Sequence, residues 1–237
     1  MNDLLLIAVL PVFILAYYIY KKDINREPAS LLVKIFFLGF FSAIPIMFLE
    51  TFLDIFFSTD ELTTFFPILF NVFISIAMVE EGFKWFIAKR VGYDSPEFDE
   101  IYDVIVYTVF ASLGFACIEN ILYVFNYGAL TGILRALTSI PGHTCFAVIM
   151  GYFMSLAKLN HMKKNLLKKN MFLSIFIPTF FHAIYDALLI YSVNADSVVA
   201  GVCFFVFNIL TVIWCFLLVR KTSKAQQRLN NDKKIVT

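Results

Sequence analysis

The chain has 237 residues, of which 60% are apolar and 16% charged, and its formal net charge is +1. This composition excludes an ordinary soluble domain and is typical of a polytopic membrane protein. The net charge by itself decides little about partners.

Seven segments are long and apolar enough to cross a bilayer. A hydrocarbon core of about 30 Å requires about 20 mainly apolar residues per helix. The first segment is predicted to be a helix of the mature protein, because no small-residue cleavage site of a signal peptide precedes Lys21. We find no linker or internal repeat and expect one integral membrane domain over residues 1–237. The sequence therefore predicts an all-α bundle of about seven transmembrane helices, at residues 4–20, 31–50, 66–88, 103–125, 136–157, 171–191 and 198–219.

The basic residues indicate how the bundle is oriented, because cytoplasmic loops retain Lys and Arg. They accumulate in alternate loops and in the tail, residues 220–237, whereas the opposite loops are acidic or neutral except for Arg135. This pattern predicts an N-terminus outside and a C-terminus in the cytoplasm. We interpret the basic tail as a contact with anionic membrane lipids and expect no nucleic-acid partner.

The third predicted span carries Glu80, Glu81 and Lys84 within an apolar run. A charge at the centre of a bilayer costs from about 2.5 kcal/mol upward, so such groups face a bundle interior or a water-filled cavity. Residues three and four apart share a helix face, which lets Lys84 pair with both carboxylates. One glutamate is thus neutralised while its neighbour stays available for chemistry.

The next three spans each add polar groups to the same depth of the membrane. Glu119 and Asn120 lie in the fourth span, His143 in the fifth, and His182 with Asp186 in the sixth. Asp186 lies four residues after His182 and can fix its tautomer. Glu119 lies higher than the others if its span starts at Asp103, and it reaches their depth only if residues 94–103 form an interfacial stretch and the membrane part begins near Tyr107. We expect one shared cluster from four consecutive helices.

Carboxylates and imidazoles in a wet pocket suit the hydrolysis of an amide bond. A carboxylate takes a proton from water, hydroxide attacks the carbonyl, and imidazoles stabilise the oxyanion or protonate the departing amine. The sequence has no Gly-x-Ser-x-Gly elbow and no His-Glu-x-x-His pair. The common templates of serine and zinc proteases therefore do not apply.

Four ordered motifs within residues 66–191 resemble the PrsW family of intramembrane proteases, which is related to the membrane glutamic proteases that process CAAX proteins. The motifs are EEGFK from Glu80, GFACIEN from Gly114, PGHTCFAVIMGY from Pro141, and HAIYD from His182. In the wider group a Phe-x-x-x-His motif stands where this chain has Phe115 and Glu119, as is usual in the PrsW branch. The last motif often has Asn where this chain has Asp186.

The resemblance implies a function in the plasma membrane of a bacterium. It implies an endopeptidase that makes the first, site-1 cut in a single-pass anti-sigma factor and so leads to a stress or antimicrobial-peptide response. The glutamate pair would activate water, His143 and His182 would assist, and Asp186 would orient His182. Glu119 would act as an acid, an oxyanion partner or a structural ligand. Lys84 and Asn120 would support the site.

Other functional classes remain open on the sequence alone. No metal or other cofactor is expected, yet Glu and His residues from separate helices could converge on zinc. A CAAX-type prenyl-protein endopeptidase is a related alternative. A proton or ion transporter also uses buried Glu, His and Asp, although the repeats and broken helices of such folds are not found here. The charged residues of the third span could also form only a structural ion cluster.

Overall fold

The structure is a computed structural model that describes the backbone of residues 2–236 and the side chains of residues 3–231. Within that part of the chain, seven helical stretches are long and apolar enough to cross a membrane, which confirms the predicted all-α membrane bundle. The helices are α1 Asn2–Lys22, α2 Ala29–Phe57, α3 Phe65–Val72, α4 Met78–Ile87, α5 Asp103–Tyr127, α6 Ala129–Leu137, α7 Ser139–Leu159, α8 Lys164–Asn194 and α9 Val198–Val236.

Helices α3 and α4 belong to one continuous span that two π-helical turns interrupt. The first turn, Phe73–Ala77, joins α3 to α4, and the second, Ala88–Tyr93, follows α4. A π turn takes in one more residue than an α turn, so it changes the direction that the following side chains face, and such turns are frequent at functional sites. The first π turn ends three residues before Glu80 and sets the face that the two glutamates present.

Several helix ends differ from the predicted spans. Helix α2 continues to Phe57 and not only to residue 50, and a separate short helix, α6, precedes the fifth span. Helix α9 continues to Val236 through the predicted basic tail, whose last residue lies outside the described range. Lys, Arg and Gln are good helix formers, so a helix can continue from lipid into water without a stop signal.

Helix α5 is the central element of the bundle. In the most apolar 18-residue segment of α5, 78% of the residues are buried, whereas the corresponding share is 22% for α1 and 33% for α2 and α9. It packs against α1, α2 and α7, and α7 in turn packs against α8. Three cysteines, Cys117, Cys145 and Cys215, are buried, whereas Cys203 is exposed. The central position of α5 allows its side chains to meet residues from several helices.

Two glycines allow α2 and α5 to approach each other closely. A Cβ atom at Gly114 would overlap the Phe36 carbonyl oxygen, and one at Gly39 would overlap the carbonyl oxygen of Ala111. Small residues at such crossings let two backbones come into direct contact in a membrane. The pair therefore fixes the spacing between α2 and the central helix.

Gly114→Ala is expected to destabilise the protein by about 1–3 kcal/mol, because the added methyl group must push α2 away from α5. The measurement is the midpoint of thermal unfolding of the purified protein in detergent. Gly201→Ala is the matched control, since a Cβ atom there has no neighbour within 4 Å. Equal midpoints for the two variants would show that the helices do not approach closely at Gly114.

Candidate active site

Lys84 is the centre of the polar cluster on α4. Its Nζ lies 2.7 Å from Glu80 Oε2 and 2.9 Å from Glu81 Oε1, which confirms the pairing expected from their spacing. The side chain is completely buried, and the Phe115 ring covers the ammonium with its centroid 4.4 Å from Nζ. A single fixed cation therefore compensates two neighbouring carboxylates in the absence of bulk water.

His182 binds carboxylates through both ring nitrogens. Nδ1 lies 3.1 Å from Glu81 Oε1, and Nε2 lies 3.2 Å from Asp186 Oδ2. The second contact is the four-residue pairing that the sequence predicted. Nε2 also lies 4.0 Å from Glu80 Oε2, and the ring stacks on Phe146. The imidazole is thus held in one orientation beside Glu80.

His143 connects α4 with α5. Its Nδ1 lies 3.2 Å from Lys84 Nζ, and its Nε2 lies 3.0 Å from Glu119 Oε2. The residue is the fifth of α7 and is buried, so it does more than cap the helix start. Its ring meets that of His182 edge to face, with centroids 5.3 Å apart. The structure therefore brings together Glu80, Glu81, Glu119 and both histidines.

Glu119 meets the His143 imidazole although α5 begins at Asp103, the start from which the sequence placed this glutamate higher than the other site groups. Beside it lies Arg135, whose role the sequence left unassigned. Arg135 Nη2 is 2.8 Å from Glu119 Oε2, and its Nε donates to Asn120 Oδ1 at 3.0 Å. Asn120 Nδ2 donates in turn to the carbonyl of Ala8. Helix α6 supplies this arginine, and the separate helix was not predicted.

A cavity of about 650 Å³ opens beside the cluster. It lies at the end of the bundle formed by the C-terminal halves of α2, α5 and α8, opposite the basic loops. Glu80 lines the cavity, whereas Glu81 does not and is completely buried. The other ionisable side chains on its wall are Glu50, Glu119, Tyr123, Tyr127, Arg135, His143, His182, Tyr185 and Asp186. The two adjacent glutamates are therefore not equivalent.

Glu50 is a cavity residue that the sequence analysis missed. The predicted second span ends at Glu50, which placed this residue at the edge of the membrane. Helix α2 in fact continues for seven residues beyond it. Its Oε1 is buried and has no hydrogen-bond partner within residues 3–231. The sequence does contain a sign that Glu50 lies inside the membrane. The segment TFLDIFF follows it, is mainly apolar apart from Asp54, and is long enough to keep the carboxyl inside. Glu50 thus offers a free acceptor to a molecule in the cavity.

The same residues can be tested as a metal site. Glu80, Glu81, His143 and His182 each offer one ligand atom, and these atoms lie within 4.8 Å of one another. Oxygen and imidazole donors of this kind suit zinc. The space between these donors does not suit a zinc ion, because the Lys84 ammonium already binds three of the four donors at 2.7–3.2 Å. As the side chains stand, an ammonium and a divalent cation cannot share that point.

Comparison with known proteins shows similarity over most of the chain. Residues 27–215 match the family model described as PrsW family intramembrane metalloprotease. Proteins named Protease PrsW from Oceanobacillus iheyensis and Clostridioides difficile are 39% and 33% identical, over 80% and 98% of this chain and 84% and 94% of their own lengths. The Protease PrsW of Bacillus subtilis is 32% identical over 90% of both chains. No solved structure matches.

Proposed function

The chain belongs to the PrsW family of intramembrane proteases, and from that premise we propose that it makes the site-1 cut in a single-pass anti-sigma factor, using water activated by Glu80. It is a multi-pass bacterial membrane protein and a membrane-embedded peptidase that acts on protein substrates in the membrane. The observation that carries the proposal is the convergence of Glu80, His143 and His182 on one cavity wall.

Glu80 is the general base in this proposal. One of its oxygens binds Lys84, and the residue lines the cavity where water and a peptide can enter. Glu80 takes a proton from water while the hydroxide oxygen bonds to the carbonyl carbon. When the C–N bond breaks, that proton passes to the departing amine, with His182 as the neighbouring carrier.

Glu81 is a positioning residue rather than a base. It is completely buried, and its Oε1 binds both Lys84 and His182. Glu119 holds His143 in a similar way, and Arg135 neutralises Glu119. Every ring nitrogen of His143 and His182 is paired in this structure, so either imidazole would stabilise the oxyanion on the substrate carbonyl by exchanging its present partner for that oxygen. No step requires a metal, and we propose that the enzyme works without one.

The place of the cavity supports a cut near the outer surface of the membrane. It lies at the end of the bundle away from the basic loops, and those loops are expected in the cytoplasm. An anti-sigma factor with a single span could reach it from outside. The proposed orientation therefore has the N-terminus outside and the C-terminus in the cytoplasm.

Co-expression with each single-pass anti-sigma factor of the source organism tests this function. We expect a truncated membrane fragment of one of them, produced by the wild-type protein and absent with the double variant Glu80→Gln, Glu81→Gln. The control variant Glu61→Gln changes an exposed glutamate and should cleave normally. The proposal fails if no anti-sigma factor is shortened, or if the double variant cleaves as well as the wild type.

A further inference from the structure

A second group of buried carboxylates lies at the opposite end of the bundle. Asp23 follows α1, Glu27 lies in the loop before α2, and Asp103 begins α5. Each offers one oxygen, and the three oxygens lie within 4.8 Å of one another. Asp103 and Glu119 are sixteen residues apart on α5, or about 24 Å at a rise of about 1.5 Å per residue. The group is thus separate from the candidate active site.

The negative charge of this group has no counterpart in the described part of the chain. No Lys, Arg or His nitrogen of residues 3–231 lies within 4.0 Å of the three carboxylates. Both oxygens of Asp23, Oε2 of Glu27 and Oδ1 of Asp103 are buried without a hydrogen-bond partner there. The residues are only 5%, 4% and 0% exposed. Buried charges in proteins are normally paired or bind a metal ion.

Tyr107 gives an independent sign of a missing ligand. It lies four residues after Asp103 and therefore on the same face of α5. Its side chain is completely buried and its hydroxyl lies close to Glu27. No hydrogen bond of acceptable geometry joins that hydroxyl to any residue within 3–231. A neutral oxygen thus lies beside the carboxylates, close to Glu27 but without a hydrogen bond of acceptable geometry within the described residues.

The surrounding contacts hold this arrangement in place. Asp103 Oδ2 accepts hydrogen bonds from the backbone N–H groups of Asp99 and Glu100, at 3.1 Å and 2.7 Å. Glu100 Oε1 accepts from the side-chain amides of Asn25 and Asn230, at 2.6 Å and 2.7 Å. The second oxygen of Glu100 stays buried and without a partner among the described residues. The free oxygens are therefore fixed by the fold and are not mobile surface groups.

We propose that Asp23, Glu27 and Asp103 bind a hard divalent cation, Mg²⁺ or Ca²⁺, with the Tyr107 hydroxyl and Glu100 beside it. The donors are all oxygens and mostly carboxylates, the set that these two ions prefer. The ion would join the loop between α1 and α2 to the start of α5, at the end of the bundle that carries the basic loops. It would stabilise the fold and take no part in peptide cleavage.

Terbium luminescence on the purified full-length protein in detergent tests the site. Tb³⁺ replaces Ca²⁺ and emits when a nearby tyrosine is excited, and Tyr107 supplies that tyrosine. We expect one tightly bound Tb³⁺ that Ca²⁺ or Mg²⁺ displaces. The variant Asp23→Asn, Asp103→Asn should lose the signal. The variant Asp60→Asn, Glu61→Gln, with exposed acids, should keep it, and so should Glu80→Gln, Glu81→Gln, which alters the active site.

Thermal unfolding of the wild-type protein decides the question if the Asp23 and Asp103 variant does not fold. At about pH 8, Mg²⁺ or Ca²⁺ in excess should raise the unfolding midpoint by about 5 °C over the chelated protein. No rise and no terbium signal would overturn the proposal, and protons alone would then neutralise the group. A signal lost only in Glu80→Gln, Glu81→Gln would also overturn it.

Discussion

Glu80→Gln is expected to lower the rate of substrate cleavage by about 10²–10⁴-fold while the protein stays folded. Glutamine has the same shape and its amide oxygen can still accept a hydrogen bond from Lys84, so the packing around α4 is kept. It cannot take a proton from water at neutral pH, and that proton transfer is the step assigned to Glu80. The measurements are the initial rate of cleavage in proteoliposomes and the midpoint of thermal unfolding.

Glu81→Gln is the informative comparison, because it makes the same replacement of one oxygen by an NH₂ group in the neighbouring carboxylate. Glu81 binds Lys84 and His182 in a completely buried position. Its loss should therefore lower both the unfolding midpoint and the rate, whereas Glu80→Gln should lower mainly the rate. If Glu80→Gln cleaves at the wild-type rate and Glu81→Gln is inactive but stable, the roles of the two glutamates are reversed.

Lys84→Met is expected to destabilise the protein by about 3–5 kcal/mol and to abolish cleavage. Methionine keeps most of the volume of lysine but leaves two carboxylates buried without a cation, and breaking one side of a buried ion pair has a cost of this size. Glu81 is completely buried and Glu80 is only 5% exposed, so water from the cavity can replace the ammonium only in part. Unfolding midpoints and cleavage rates of the variant and the wild type measure both effects.

A second variant separates stability from chemistry. Lys84→Met combined with Glu81→Gln removes one negative charge along with the positive one, so stability should return in part while cleavage stays absent.

The wild-type protein should keep its activity after treatment with a zinc chelator, because the ammonium lies where a metal would bind. If chelation stops cleavage and added zinc restores it, Lys84 must move aside and the metal-free mechanism is wrong.

The sequence by itself determined the membrane class, the number of spans and the candidate residues Glu80, Glu81, Glu119, His143 and His182, but not Glu50 or Arg135. Hydropathy is a local property, and a charge inside an apolar run is costly wherever the run lies, so both signals can be read without the fold. Pairings within one helix were equally accessible, since the spacing of Glu80 and Lys84, or of His182 and Asp186, fixes their common face.

Only the tertiary structure decided which groups meet across helices. The contact of Arg135 with Glu119 depends on where α6 begins. The contact of Lys84 with His143 depends on where α7 begins and on how the π turn before Glu80 orients α4. The different burial of Glu80 and Glu81, and the membership of Glu50 in the cavity, depend on packing between chain segments far apart in sequence. Helix periodicity carries no information about such packing, because it records which face is apolar and not which neighbour covers it.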